Sequence, residues 1–586
     1  MSKAPGSDLL GLRALQATRK LHLPTYVATR FLLDSSAGKS EGSWAKTILP
    51  RKYSMRDLGR FQKTTRFKKI RADGSYEYRS YDVPSPTTAI TEALLLARFS
   101  TSAAFEKSTN VYSYLWPSSA SCPYNFEHYV NGYKRRNRDI ELLLEANKDA
   151  VVIVSDIEKF YPSILRNRAK VRLNNAMRDG GIDKETQMVA SLMLEHLFAA
   201  IPGQRGIATG PEFSHVIGDL ALASMDKYLS EHYQDAYFRY VDDIVLVVSA
   251  DKVKLTEKRL RDLALDEELT VHPDKTEVVS GEEWLKHGPH HADGVAENSF
   301  ESLVFLIKVY LFKHPGVEKK LEKRMFDNGF NIPIDRLVWS SRSKAFVRRL
   351  KTFTLRRWWV AIQALIANER DVIEKALLVR ETVRNSLIQQ LESGAPKGAT
   401  RRRWYIQNLR YLTNRAFYLM SAGDLGFLID PLSRLPEFAE TVALLKMLVQ
   451  GLTEDILKMP GAALMAGAGM LKQVGRKLQL PNAIANLDRA TVDAISILLL
   501  FDVVSVDEKI YDQLEGYDKE LLLFSGGQTP ATRVMDDFSY IDEIRSLQLL
   551  RTKTDIISMI ESRFSDQESV VFDALDIGGE YSYYSS

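Results

Sequence analysis

Residues 237–249 read Tyr-Phe-Arg-Tyr-Val-Asp-Asp-Ile-Val-Leu-Val-Val-Ser, two adjacent carboxylates between runs of β-branched and aromatic residues. That pattern predicts a tight β-hairpin with its acids at the turn. Two like charges held together repel unless a cation neutralises them, and a hard divalent ion such as Mg²⁺ takes carboxylate oxygens. A solvated Asp-Asp turn on an ordinary hairpin carries the same pair, so the pair alone decides little. A second stretch shifts the balance. Val151-Val152-Ile153-Val154-Ser155-Asp156 is a β-branched run ending in one aspartate, as when a buried central strand delivers a carboxylate to its edge. Asp156 and Asp242 are then expected to converge on two ions about 4 Å apart, the separation used in two-metal phosphoryl transfer. The backbone carbonyl of Ile157 is a further candidate ligand. Mg²⁺, or Mn²⁺ in its place, is the expected cofactor.

Asp156 with Phe160-Tyr161, followed about eighty residues later by Tyr240-Val241-Asp242-Asp243, resembles the palm of a reverse transcriptase. Gly206-Ile207-Ala208-Thr209-Gly210-Pro211 with Ser214 resembles the family's loop-and-helix between those motifs. Leu269-Thr270-Val271-His272-Pro273-Asp274-Lys275-Thr276 resembles its next motif, ending in the family's Lys-Thr. The resemblance covers four motifs in order over about 120 residues. It implies Asp156 and Asp242 as principal metal ligands with Asp243 supporting, and Lys275 as the acid that protonates leaving pyrophosphate. Ile157, Phe160, Thr209 and Gly210 fall among its nucleotide-binding positions. Tyr161 falls where the family places a bulky aromatic under the sugar, excluding a ribose 2′-OH. One departure stands out: the family often has Pro-Gln-Gly where this chain has Ala208-Thr209-Gly210, and the shorter Thr209 puts template handling in question.

A length of 586 residues and 66.5 kDa calls for two or more domains, and 45% apolar residues supply their cores. No apolar run approaches a membrane span, and Met1–Ser7 carries no signal-peptide core. A single cysteine, Cys122, excludes an internal disulfide framework and a multi-cysteine zinc site, so a cytoplasmic location is expected. The net charge of +4 is small, but its distribution is uneven. Residues 51–80 hold ten Lys/Arg against three acids, and 342–357 hold seven against none; 555–586 invert this, with seven acids against one Arg. A basic front and an acidic tail fit a polyanion channel with a self-repelling exit, although any single run also fits a solvated face.

Taken in order, residues 1–30 read as helical and 35–43 as a polar loop, whose Gly-Lys-Ser lacks the spacing of a phosphate loop. Arg71–Ser75 marks a hairpin turn between Phe67–Ile70 and Tyr76–Tyr81, and the basic Lys69, Arg71 and Arg79 are candidates to clamp a triphosphate. A helix follows Asp82–Thr88 to about 99. Residues 111–138 interleave aromatics with a Lys134–Arg138 basic run, which fits either base stacking or a packed junction. Helices are expected at 183–200, 212–232 and 252–268. A loop is expected at 282–300, where His287, His290 and His291 lack a recognisable metal-ligand spacing, and a strand or short hairpin at Ser302–Phe312. Beyond 316 the periodicity is helical: 342–366, 369–393, 401–421, 436–457, 462–476, 482–501, 505–524 and 534–563. Arginines near 342–357 and at 401–403, with Trp358, Trp359 and Trp404, could line a product channel. The fold class is therefore α+β: reverse transcriptase-like fingers and palm over 1–315, an all-α, HEAT-like, thumb-replacing domain over 316–570, and a flexible acidic, Tyr-rich tail over 571–586.

The aromatic stretch and the long helical half also resemble bacterial abortive-infection reverse transcriptases of the AbiK type. That resemblance implies antiphage defence, dNTP polymerisation without ordinary template direction, and priming from a protein tyrosine that leaves single-stranded DNA covalently attached. It also implies homo-oligomers. Tyr581, Tyr583 and Tyr584 on the terminal tail are candidate primers, because a priming hydroxyl must reach the metals and then withdraw; Tyr26 and Tyr53 compete. The alternatives are templated synthesis on a bound non-coding RNA, as in retrons, and a non-catalytic nucleic-acid-binding scaffold.

Overall fold

The computed structural model describes residues 7–37, 61–118, 122–272, 275–288, 295–337, 365–480, 484, 487–528, 540–549 and 551–561. At its centre four antiparallel strands lie in the order β4 (Tyr237–Tyr240), β5 (Asp243–Ser249), β3 (Ala150–Asp156), β6 (Glu277–Ser280). The β-branched runs make β3 and β5 the two inner strands, paired from Ala150↔Ser249 to Asp156↔Asp243. Helices Tyr129–Ala146, Arg166–Asp179, Lys184–Ala199, Phe213–Tyr233 and Val253–Asp266 surround this sheet. Val152, Ile153, Leu246, Leu222 and Leu260 are among the residues of their common core.

The hairpin is β1 (Phe61–Ile70) with β2 (Tyr76–Pro84), turned over Arg71–Ser75 as its Asp-Gly sequence predicts. The next helix, Pro86–Phe99, starts on the Ser85 N-cap with proline in its first turn. The hairpin leans on the C-terminal helices. Asp493 accepts from the Thr64 hydroxyl at 3.0 Å and the Thr65 amide at 2.9 Å, and the Phe67 amide donates to the Pro460 carbonyl at 3.1 Å.

The expected strand at Ser302–Phe312 is a helix, Val295–Lys313. Phe300, Leu303, Val304, Ile307, Tyr310 and Leu311 recur at three- and four-residue spacing and are buried together, so helical periodicity overrides their β-branched and aromatic character. The expected loop over 282–300 is also largely helical. Ser280 accepts from the Glu283 amide at 3.1 Å and caps the helix Gly281–His287, and Val295–Lys313 takes the other end. Helices Glu369–Ser393, Ala399–Leu419, Ala439–Gln450, Ala462–Gln473 and Arg489–Leu500 follow, several packing on their neighbours in sequence. The 505–524 pattern splits into Glu508–Asp512 and Gly516–Ser525, and 534–563 into Tyr540–Leu547 and Lys553–Glu561. Most of the 342–366 stretch, Tyr53, and the tail with Tyr581, Tyr583 and Tyr584 lie outside the described residues.

A separate core joins the first and last described helices. Leu15, Tyr26, Val27 and Phe31, from helices Ser7–Leu21 and Leu23–Ala37, bury with Phe524, Tyr540, Ile544 and Ile556. Glu543 accepts from the Thr87 amide and hydroxyl at 2.8 and 3.0 Å, so the C-terminal region supports the start of the 86–99 helix. No helix among the described residues is long and apolar enough to cross a membrane.

Candidate active site

The acids meet at one end of the inner strand pair. Asp156 ends β3 and stands opposite Asp243 in register, while Asp242 occupies the two-residue turn between β4 and β5. The Ile157 amide donates to the Asp242 carbonyl at 3.3 Å, and the His272 amide to the Asp156 carbonyl at 2.8 Å. Lys275 Nζ lies 2.9 Å from Asp156 Oδ2, and the Ser155 and Thr276 hydroxyls are 3.1 Å apart. Four sequence-predicted residues, Asp156, Asp242, Asp243 and Lys275, are therefore brought together, with Ile157 between them.

The turn is strained. Val241 takes φ 55°, a region a β-branched residue enters at a cost of about 1–3 kcal/mol. Its amide donates to Ser113 Oγ at 2.9 Å, and its carbonyl accepts from Arg239 Nη1 at 2.7 Å. Arg239 is 1% exposed and reaches Asp226 through Nε and Nη2, both at 2.7 Å, and Asp219 at 3.1 Å. The Tyr237 hydroxyl donates to Asp226 at 2.6 Å, and Lys107 pairs with Asp219. Burial alone would lower the Arg239 pKa, but Asp226 and Asp219 outweigh it and hold the guanidinium charged.

Above the turn the charges are not matched in this way. Burial, then the Asp243 and Asp156 carboxylates, push the Asp242 pKa well above the usual carboxylate range. Its Oδ1 is buried with no hydrogen-bond partner. Burial also raises Asp243, to about 6, against the pull of Arg403 and Arg136. Among the described residues, no three His, Cys, Asp or Glu side chains form a ready metal cage. The chemistry of the donors nonetheless fits a hard divalent cation: adjacent carboxylates, one with a buried oxygen left over, and a neighbouring backbone carbonyl.

Phe160 and Tyr161 sit on the short helical turn Phe160–Ser163, reached through Lys159 at φ 47°. The Tyr161 ring is 8% exposed, and its hydroxyl lies 2.6 Å from His215 Nδ1. Burial pushes the Tyr161 pKa well up and lowers His215 to about 3, so a protonated tyrosine and a neutral imidazole share this hydrogen bond. Tyr114 stacks on His215 with ring centroids 3.6 Å apart. The Thr209 carbonyl accepts from the Asp82 amide at 2.7 Å. Gly210 has φ 122°, and a Cβ there would stand 2.8 Å from the Asp82 carbonyl oxygen, so glycine is required. Glu92 accepts from the Phe213 amide at 2.8 Å and holds the start of the following helix.

Lys69 and Arg71 lie at the β1–β2 turn, each paired with Glu77, at 3.7 and 3.3 Å. The aromatics of 111–138 mostly face inward: Trp116 stacks on Phe126 at 5.1 Å, and Tyr112 and Phe126 are buried. Trp404 is not free to line a channel, because it packs edge-on against Trp284 in the core around the central sheet. Sequence reasoning missed Ser113, Asp219, Asp226, Arg239 and His215, and read Arg403 only as one of the 401–403 arginines that could line a product channel. For Arg239 a signal existed, a lone charge inside the aromatic strand Tyr237–Tyr240; the others depend on tertiary contact.

No family model and no curated protein matches the chain. Solved structures similar to it include apo telomerase from Candida tropicalis, at 12% identity and TM-score 0.27, covering 65% of this chain and 68% of that one. Telomerase from Candida albicans with a fragment of telomeric RNA gives 10% identity and TM-score 0.28, covering 66% of each chain. Candida tropicalis telomerase with its RNA fragment gives 13% identity and TM-score 0.26, covering 62% of this chain and 67% of that one. Likeness at this level carries no argument about function, which rests on the site itself.

Proposed function

We propose that the chain is a DNA polymerase of the reverse transcriptase superfamily, joining dNTPs by two-metal-ion nucleotidyl transfer. One observation carries this reading: Asp156 and Asp243 face each other across β3 and β5, with Asp242 on the adjoining turn holding a buried, unpartnered oxygen. Asp156, Asp242 and Asp243, with the Ile157 carbonyl, would hold Mg²⁺ or Mn²⁺. Such ions supply activation of the attacking hydroxyl and charge stabilisation of leaving pyrophosphate. Lys275, paired with Asp156, would give a proton to the leaving group. Tyr161, fixed through His215, would close the space beneath the sugar to a 2′-OH. Lys69 and Arg71 would reach a triphosphate by exchanging Glu77 for it, and Thr209 and Gly210 would form the loop below the nucleotide.

The finer reading is antiphage defence with template-independent, tyrosine-primed synthesis by a homo-oligomer. Its support is the motif resemblance together with a large helical half that packs against both the hairpin and the palm. The test incubates purified chain with labelled dNTPs and Mg²⁺ or Mn²⁺, without added nucleic acid, and follows the label through phenol extraction. Label partitioning with protein supports protein priming. Protein-free product that requires a co-purifying RNA replaces this reading with templated synthesis. No incorporation under any primer or template condition overturns the polymerase.

A further inference from the structure

Two guanidiniums from distant parts of the chain, Arg136 and Arg403, act on the Asp243 carboxylate, and Arg136 also lies against the Tyr240 ring at the turn. Arg136, on the helix Tyr129–Ala146, is 4% exposed, and its Nε and Nη1 are buried with no hydrogen-bond acceptor. It lies over the Tyr133 and Tyr240 rings, 4.9 and 5.6 Å from their centroids, which fixes its plane without using its donors. A buried arginine with unspent N–H groups is costly unless something binds there.

Arg403 comes from the helical half, and its helix is anchored on the palm. Trp404 packs on Trp284 with ring centroids 5.4 Å apart, and Arg401 pairs with Glu283. Arg402 is also engaged, by Glu437 at 2.7 and 3.0 Å. Arg403 is the exposed member of this triplet with no ion pair among the described residues. Arg403 and Arg136 both act electrostatically on Asp243, yet neither closes to an ion pair with it.

We infer that Arg136 and Arg403 form a phosphate-binding site beside the Tyr240–Asp243 turn, taking a phosphate either from the nucleic-acid strand or from the incoming nucleotide. Guanidinium forks match phosphate oxygens in pairs, and one phosphate satisfies donors from both residues. Metal-ligating acids on one side and unspent guanidiniums on the other make a surface that accepts a polyanion through its cations and its phosphate together. The inference deepens the polymerase reading and rests on it for the identity of the ligand, but phosphate binding can be measured without catalysis.

The experiment uses the full chain in EDTA, with fluorescein-labelled dT12 followed by anisotropy over a range of salt, and dATP as competitor. Arg403→Gln changes an exposed side chain and should leave folding intact. It is expected to weaken dT12 about tenfold and to flatten the log–log salt slope by about 0.7, the loss of one single-strand phosphate contact. Arg136→Lys keeps the charge but loses the fork, and should weaken binding several-fold. Arg402→Gln removes the same charge from a guanidinium already paired with Glu437, and should stay within about twofold of wild type. Loss confined to dT12 assigns the phosphate to the strand; loss confined to dATP competition assigns it to the nucleotide. Unchanged affinity for both probes in Arg403→Gln, or an equal loss in Arg402→Gln, overturns the site. Loss of binding in Arg403→Gln, together with no dNTP incorporation by the wild-type chain, would retain the phosphate site and reject the polymerase.

Discussion

Two faces of one hairpin turn treat buried charge in opposite ways. Beneath it, Arg239, Asp226, Asp219, Lys107 and Tyr237 are closed into one network, each charge answered at hydrogen-bond distance. Above it, Asp242 keeps a buried oxygen without a partner and Arg136 keeps two buried nitrogens without an acceptor. Folding alone explains the lower face, because it fixes the strained Val241 turn. It does not explain the upper face, whose unpaired groups lower stability and where, on the proposed reading, a cation and an anion would bind. The contrast separates scaffold from site within a few residues.

The largest expected effect breaks the upper face. Asp242→Asn should reduce dNTP incorporation by several orders of magnitude, since a weakened ligand disables the two-metal site. Its thermal midpoint without metal should equal or exceed wild type, because Asn removes the repulsion that Asp156 and Asp243 exert on Asp242. Wild-type incorporation by this variant would remove Asp242 from the mechanism. Breaking the lower face should do the reverse. Arg239→Met leaves the buried Asp226 carboxylate without a counter-charge, held only by the Tyr237 hydroxyl, and should cost about 3–5 kcal/mol in denaturant unfolding. A loss under about 1 kcal/mol would show that the network is not what holds the turn.

A smaller effect concerns sugar choice. Tyr161→Ala should admit ribonucleotides. His215→Ala keeps the ring but frees its hydroxyl, and should relax selectivity less. Competition between dNTP and rNTP measures both, and unchanged ratios would place the gate elsewhere.

How much of this was legible in sequence follows the same division. The acids, Lys275, both hairpins and the Pro86–Phe99 helix were readable, because local pattern and turn chemistry dictate them. The Val295–Lys313 helix was hidden by its Phe, Val, Leu and Ile content, which favours a strand until the spacing of Phe300, Leu303, Ile307 and Tyr310 is weighed. The capped helix at Ser280–Glu283 carried a readable capping signal within a stretch taken as loop. Ser113, Asp219 and His215 were illegible for a different reason: each is a common residue made special by a partner more than fifty positions away, Val241, Lys107 and Tyr161 respectively. Arg403 stood within a triplet of arginines, and only tertiary pairing separates it from Arg401 and Arg402.

A further prediction is a pH dependence. Burial raises the Glu92 carboxyl from 4.5 to about 8. A raised acid contributes stability fully below its unfolded pKa and loses it as pH rises through the folded value, here from 4.5 to about 8. Glu92→Gln keeps the acceptor for the Phe213 amide but cannot ionise. Its thermal midpoint relative to wild type should therefore climb between pH 5 and 8. A constant difference across that window would show that Glu92 is not buried as a neutral acid.

The central claim, that the upper face is a place for a cation, is tested most directly by following thermal unfolding of wild type and Asp242→Asn while Mn²⁺ is titrated in. A ligand bound only by the folded state raises its midpoint with concentration. The account predicts a midpoint that rises with Mn²⁺ for wild type and little or no rise for the Asn variant. A wild-type midpoint indifferent to the metal, or an equal rise in both proteins, would contradict it.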